Sequence, residues 1–261
     1  NELKLDGFRM DAVKHISEGF IKEFLDEVRS IYGQDFYSVG EYWKDDLGTL
    51  KEYLESLEYT TDLFDVGLHF NFHEASVRGK DFDLRTIFDN TILVSDSMQA
   101  VSFVDNHDSQ KGSALESQIE SWFKPHAYAI ILLAERGYPC LFYGDYYGVS
   151  GQESEHRWII DQLLHVRKHY AYGGEIDYFD DPDIVGIYRT GRENDLNTGC
   201  VAILSNNEDG EKVIEVGQNR TGQVWKEVTG SGFDNVVIDD SGFAAFKVKA
   251  GKISVWVPEE K

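Results

Sequence analysis

Basic residues are scarce: 25 Lys and Arg stand against 47 Asp and Glu, a formal net charge of −22 at pH 7. A polyphosphate ligand needs a basic footprint, so this imbalance argues against nucleic acid as substrate or partner. It suits a neutral substrate such as a polysaccharide, and equally a saline or alkaline habitat or bound cations; composition does not choose among these. Cysteine is rarer still. Cys140 in GYPCLFYG and Cys200 in TGCVAIL are the only two. Both sit in apolar, strand-like runs and read as buried free thiols rather than a disulfide, which leaves the compartment open. No apolar run reaches the roughly 18 residues that span a bilayer, so no membrane segment is expected. A signal peptide and an initiator Met are also missing: the chain opens on NELKLDGFRMD and reads as cut within a domain.

Aromatic residues, by contrast, are plentiful, with 16 Phe, 14 Tyr and 5 Trp, and hydrophobic residues make up 41% of the chain. A disordered chain would be poorer in both. Most of these rings belong to a core. Sugar-binding clefts also favour them, because the C–H faces of pyranoses stack on aromatic planes.

From residue 1 to 172, short apolar runs alternate with amphipathic segments of helix length. Leu3–Met10, Phe36–Val39, Leu63–Val66, Ala100–Val104 and Pro139–Tyr143 read as strands. Ser17–Tyr32 reads as a helix with Ser17 as N-cap and Phe20, Phe24, Val28 and Ile31 along one face. Further helices are expected near Asp46–Ser56, Leu84–Phe88, Lys124–Ala134 and Ile159–Tyr170, with a short helical turn after the third strand. Repeated strand–helix units argue a parallel α/β architecture. Five units do not close a barrel of eight, so in a TIM (β/α)₈ enzyme about three would lie upstream; a five-stranded open sheet fits the pattern as well. From 173 to 261 the texture changes. Val185–Tyr188, Val201–Ser205, Lys212–Val216, Val236–Ile238, Phe243–Val248 and Ile253–Val257 alternate with NNEDG, TGSGFDN, DDSG and KAGK, the turn chemistry of an antiparallel β-sandwich. No ligand site is evident in it, and it reads as a structural cap.

Polar clusters stand where three of the strands hand over to loops. In LDGFRMDAVKH, strand alternation puts Arg9 and Asp11 on one face, and a carboxylate beside a guanidinium is held ionised, as a nucleophile requires. A structural Asp–Arg pair has the same spacing. In FYSVGEYW, Glu41 precedes two aromatic residues, and a partly desolvated carboxyl favours its protonated form, as a general acid requires. In VSFVDNHDSQ, Asp105, Asn106, His107 and Asp108 crowd one strand end. In barrels that edge collects catalytic groups. Metal coordination by Asp11, Glu41, His107 and Asp108 is the rival reading.

DGFRMDAVKH, GEYW and FVDNHD closely resemble three signature segments of the α-amylase family of glycoside hydrolases, in the family's order and spacing. The likeness continues through WFKPHAYAIILLAERGYPCLFYGDYYG and RKHYAYG and covers nearly the whole chain, nearest to bacterial liquefying-type α-amylases. It implies barrel strands four to eight followed by a β-sandwich. It implies Asp11 as nucleophile, Glu41 as acid/base and Asp108 as a group that binds sugar hydroxyls and favours the distorted ring. Arg9 would hold Asp11 ionised, His107 would bond the reacting glucose, Lys14 and His15 would contact leaving-group sugars, and Trp43 would offer a stacking platform. The Lys-His pair favours amylases and glucanotransferases over oligo-1,6-glucosidases. The resemblance further implies Ca²⁺ in two places. One is a structural site to which only the His15 carbonyl belongs here. The other is built from Asp183, carbonyls near Lys80, Phe82 and Pro182, and Asn206, a position usually occupied by Asp. Implied partners are starch, malto-oligosaccharides and the N-terminal portion of the same enzyme, in a secreted protein. The alternatives are a cyclodextrin-forming type of α-glucanotransferase and a catalytically inactive amylase-like binding protein.

Overall fold

The computed structural model describes residues 4–149 and 151–259. The chain divides into two compact units, one of residues 1–71, 88–103 and 136–140, the other of residues 72–87, 104–135 and 141–261.

The first unit contains a sheet of five short parallel strands, β1 (Gly7–Met10), β2 (Tyr37–Gly40), β3 (Asp62–Phe64), β4 (Ala100–Phe103) and β5 (Tyr138–Cys140). They pair in strict chain order, with Arg9 opposite Val39, Val39 opposite Asp62, Leu63 opposite Ala100 and Phe103 opposite Cys140. A doubly wound sheet reverses its strand order at a switch point; an unreversed order is that of a (β/α) barrel, here a half-barrel of five strands. Part of the expected Leu3–Met10 strand, Leu3 itself, lies outside the described residues.

Helix α1 (Glu18–Tyr32) has Ser17 at its N-cap position, although the hydroxyl makes no capping bond. It buries Ile21, Leu25 and Val28, whereas Phe20, Phe24 and Ile31 are exposed. The expected stripe and the buried one share Val28 and are otherwise offset by one residue, about 100° around the helix. The aliphatic stripe takes the inner face, and Phe24 stacks against Phe8 and Phe20 outside it. Helix α2 (Leu47–Ser56) starts at Asp46, whose Oδ1 accepts from Thr49 N at 2.8 Å, a regular N-cap.

The third strand is shorter than expected. Val66 opens a thirteen-residue helix, α3 (Val66–Arg78), where only a helical turn was anticipated. Its aromatic and β-branched residues are poor helix formers, which hides it in the sequence. The fully buried Asp65 starts it: Oδ1 accepts from Leu68 N at 3.2 Å and Oδ2 from Leu93 N at 2.7 Å. Leu93 belongs to a single helical turn, α4 (Ile92–Ser95). Gly67 permits the close approach, since a Cβ there would meet Asn90 O at 2.7 Å. Around Leu84 the expected helix is a 3₁₀ turn, Leu84–Thr86, capped by Asp83.

In the second unit, α5 (Lys124–Leu133) is buried on all sides, as its continuous apolar sequence requires. It packs on α7 (Arg157–His169), an amphipathic helix that buries Ile160, Leu163 and Val166; α6 (Tyr143–Tyr147) precedes α7. The antiparallel strands are β6 (Glu175–Tyr178), β7 (Ile184–Arg189), β8 (Cys200–Ser205), β9 (Gly210–Glu215), β10 (Val224–Glu227), β11 (Val236–Val237), β12 (Phe243–Val248) and β13 (Ile253–Pro258). Six form a sheet in the order β11-β10-β13-β8-β7-β6, and β9 pairs with β12. Their core is built on Trp225, Trp256, Phe246, Tyr188 and Ile203. Strands β6 and β10 are four residues each, too short for an apolar alternation to stand out in the sequence. His126 of α5 reaches the Ser205 carbonyl at 2.9 Å, and Arg189 reaches the Leu133 carbonyl at 3.0 Å. These bonds tie α5 to the antiparallel strands within the second unit.

Both thiols are free. Cys200 is buried, which pushes its pKa up to about 12, and Cys140 is half-buried. No helix among the described residues is long and apolar enough to cross a membrane.

Candidate active site

In the first unit, β1 ends at Met10 and the chain turns sharply after Asp11. Ala12 takes the left-handed conformation (φ 48, ψ 41), a strained state for a residue with a Cβ. A 3₁₀ turn, Val13–His15, follows. Three hydrogen bonds fasten this corner to the end of β2. Glu41 N donates to Met10 O at 2.9 Å, Val13 N donates to Glu41 O at 3.0 Å, and Ala12 N donates to Glu41 Oε2 at 2.9 Å. Glu41 is thereby held by backbone, with its carboxylate under the strained residue next to Asp11.

Arg9 joins the two acids. Its Nη1 pairs with Asp11 Oδ1, and its Nη2 lies 3.5 Å from Glu41 Oε2. The two carboxylates stand in opposite surroundings: the Asp11 side chain is 71% exposed and that of Glu41 6%. One guanidinium thus serves an open carboxylate that can meet a substrate and an enclosed one, the division of labour that two-carboxylate chemistry needs. Lys14 and His15 are exposed beside them. Lys14 Nζ donates to the Trp43 carbonyl at 3.1 Å. The Trp43 ring is 9% exposed and sits among His69, Phe70 and Phe103, which leaves little open face for a sugar.

His107 and Asp108 belong to the second unit. Of the four polar residues in this cluster, two build the loop. Asn106 Oδ1 accepts from the backbone N–H groups of Asp108 and Ser109, both at 2.8 Å, an Asx turn. Asp105 is buried, accepts from Ser109 Oγ at 2.8 Å, and forms an ion pair with Lys124, whose Nζ lies 2.9 Å from Oδ2. The other two are presented outward: His107 Nε2 lies 3.2 Å from Asp108 Oδ2, with the side chains 65% and 38% exposed.

Lys124 is a residue that sequence reading missed, although a lysine opening the otherwise apolar KPHAYAIILL is a visible anomaly. It also pairs with Asp145, whose Oδ2 accepts from Tyr128 Oη at 2.7 Å. Burial disfavours the ammonium, but Asp145 and Asp105 outweigh it and hold its pKa above the ordinary lysine value.

The residues considered for Ca²⁺ separate into His15 in the first unit and Lys80, Phe82, Pro182, Asp183 and Asn206 in the second. The second group is closed by hydrogen bonds. Asn206 Nδ2 donates to Gly79 O at 3.0 Å and to Phe82 O at 2.7 Å, Leu84 N donates to Pro182 O at 2.8 Å, and Asn207 Nδ2 donates to Asp183 Oδ2 at 3.1 Å. Asn206 Oδ1 is buried with no partner. Calcium takes about six to eight oxygens, most strongly when several are carboxylates. Among the described residues no group of three or more Asp, Glu, His or Cys could share a metal. The Asn206 amide NH₂ is directed at two carbonyls of this group, and Asp183 is its one carboxylate.

Acids at the C-terminal ends of consecutive parallel strands place the chain among the barrel enzymes. The sequence matches the alpha-amylase catalytic-domain family over residues 1–242. It is 43% identical to the alpha-amylase of Bacillus licheniformis over 261 residues, covering 98% of this chain and 51% of that protein. It is 45% identical over 258 residues to the glucan 1,4-alpha-maltohexaosidase of Bacillus sp. (strain 707), covering 98% and 50%. In structure it is similar to the acarbose-complexed alpha-amylase of Geobacillus thermoleovorans, with a TM-score of 0.72 at 20% identity over 98% of this chain and 60% of that one, a likeness of fold. The chain belongs to the α-amylase family of glycoside hydrolases. It spans about half the length of the curated relatives it matches.

Proposed function

We propose that the enzyme containing this chain hydrolyses internal α-1,4-glucosidic bonds of starch and malto-oligosaccharides with retention of configuration. The observation that carries this reading is the single guanidinium, Arg9, in contact with both Asp11 and Glu41. Asp11 attacks the anomeric carbon to form a β-glucosyl ester while Glu41 protonates the departing glycosidic oxygen. Glu41 then takes a proton from water, which opens the ester. Arg9 disperses charge over the pair as Asp11 loses its negative charge and Glu41 gains one. Asp108 and His107 bind hydroxyls of the distorted sugar, and Lys14 and His15 contact the leaving-group side.

Calcium enters this proposal only as a structural ion at the His15 carbonyl, and no chemical step depends on it. The N-terminal portion of the same enzyme is the proposed partner: the relatives are about twice as long, and β1 is an edge strand of its sheet. Secretion is part of the same proposal. Proton NMR of maltoheptaose hydrolysis tests the reaction. Initial release of the α-anomer supports retention, and initial release of the β-anomer refutes it.

A further inference from the structure

We propose that a cleft of the second unit binds a segment of α-1,4-glucan as an anchoring site that shares no lining residue with the candidate catalytic set. This rests on the reading of the protein as an α-glucan hydrolase. The cleft has a volume of ≈ 460 Å³, within the range of about 300–1,000 Å³ usual for small-ligand sites. Its walls come from the start of α5, the segment leading into α7, the turn after β10 and the turn between β12 and β13, all of the second unit.

Trp158 is the central feature. It is 55% exposed, whereas Trp225 and Trp256 are fully buried and Trp43 nearly so. Leaving an indole in water forgoes a large burial free energy, and in a cleft it marks a contact surface. The ring is also positioned. Gly230, at φ +79, passes so close that a Cβ there would lie 3.1 Å from Trp158 Cη2. Trp122 forms a second aromatic wall, fixed by donation from Nε1 to Ser76 O at 3.0 Å and by edge contact with Phe123 and His126.

Around these rings the groups are short and polar. Glu227 organises the turn after β10 by accepting from Thr229 N at 2.6 Å and from Ser231 N at 2.8 Å, which brings Thr229 and Ser231 to the cleft. Ser121 faces them with His156 Nε2 3.2 Å away, and Lys249, Lys252 and Glu155 supply two positive charges and one negative. Pre-set aromatic planes flanked by hydroxyls suit a polyol with C–H faces, and Glu155 set against the two lysines opposes an anion such as a phosphate. A polymeric substrate makes such a site useful. A chain held here keeps its other segments at high effective concentration near the same molecule, so affinity for the polymer rises without any new contact at the acids.

The test compares wild type, Trp158→Ala and Trp158→Phe of the complete enzyme. Retention on starch granules and mobility in amylopectin gels report the cleft, and hydrolysis of maltoheptaose reports the acids. Trp158→Ala should weaken granule retention about fivefold or more, with Trp158→Phe keeping most of it, while kcat/KM on maltoheptaose stays within about twofold of wild type. Granule retention unchanged in Trp158→Ala overturns the site. So does a parallel fall in maltoheptaose hydrolysis, which would make the ring part of the catalytic cleft. A wild type that hydrolyses no α-glucan yet loses granule binding with Trp158→Ala refutes the hydrolase reading and leaves the site standing.

Discussion

Arg9 touches two acids of unequal exposure: Nη1 pairs with Asp11, and Nη2 stands 3.5 Å from the enclosed Oε2 of Glu41. In the proposed mechanism, removing that cation strips both acids of a shared counter-charge at the moment charge passes between them. Arg9→Ala is expected to lower kcat by about 100-fold or more, with a smaller change in KM. Arg9→Lys should recover only part of the loss, because an ammonium cannot fork between two carboxylates. Steady-state kinetics on maltoheptaose checks this, and equal kcat in Arg9→Ala and wild type would remove Arg9 from the chemistry.

Lys124 is 5% exposed and sits between Asp105 and Asp145. Lys124→Met leaves two carboxylates buried without a cation and should cost about 3–5 kcal/mol. Asp145→Asn keeps one pair intact and should cost less. Urea unfolding of the two variants gives the order, and a Lys124→Met protein as stable as wild type contradicts the account.

Two buried groups act on stability in opposite senses across mildly acid pH. Burial holds His126 down to about 4, against about 6.5 in an unfolded chain. Its contribution is therefore complete above pH 6.5 and is lost as pH falls toward 4, a difference of about 3 kcal/mol. Burial pushes Asp65 up to about 6, from about 3.9 unfolded. Its contribution is complete below pH 4 and is lost as pH rises through 6. His126→Gln should flatten the fall in stability between pH 6.5 and 4, and Asp65→Asn should steepen it. Denaturant midpoints measured from pH 4 to 7 distinguish the two.

These effects also show what the sequence made legible. Sheet class, strand sites and the acids Asp11, Glu41 and Asp108 are local: an apolar run followed by a polar cluster is visible without the fold. The buried stripe of α1 was not, because Ile21/Leu25 and Phe20/Phe24 are equally apolar and only packing selects between them. Helix α3 was hidden by its low propensity and started by Asp65, whose second bond goes to Leu93, 28 residues away. Lys124 draws its meaning from Asp105 and Asp145, each about 20 residues distant, and no local pattern pairs them. Asn206 was recognised as a place where a carboxylate was expected, but only the fold shows its amide bonding Gly79 O and Phe82 O.

That amide leads to a metal prediction. In Asn206→Asp the two donated hydrogen bonds vanish and a carboxylate faces two carbonyl oxygens, an arrangement that a bound cation relieves. The variant should be less stable than wild type in chelator and should gain Tm on addition of millimolar CaCl₂ by more than wild type does. Equal calcium-dependent shifts in the two proteins would contradict the closed description of this cluster.

In the proposed mechanism, Asp11 carries the sugar between the two half-reactions. A 5-fluoro-α-glycosyl fluoride, which forms the ester faster than water opens it, accumulates that species on the complete enzyme. Proteolysis and mass spectrometry then locate the glycosyl mass. The account predicts a single adduct on the peptide bearing Asp11, absent from Asp11→Asn. An adduct on Glu41 or Asp108 instead, or an undiminished one in Asp11→Asn, would contradict it.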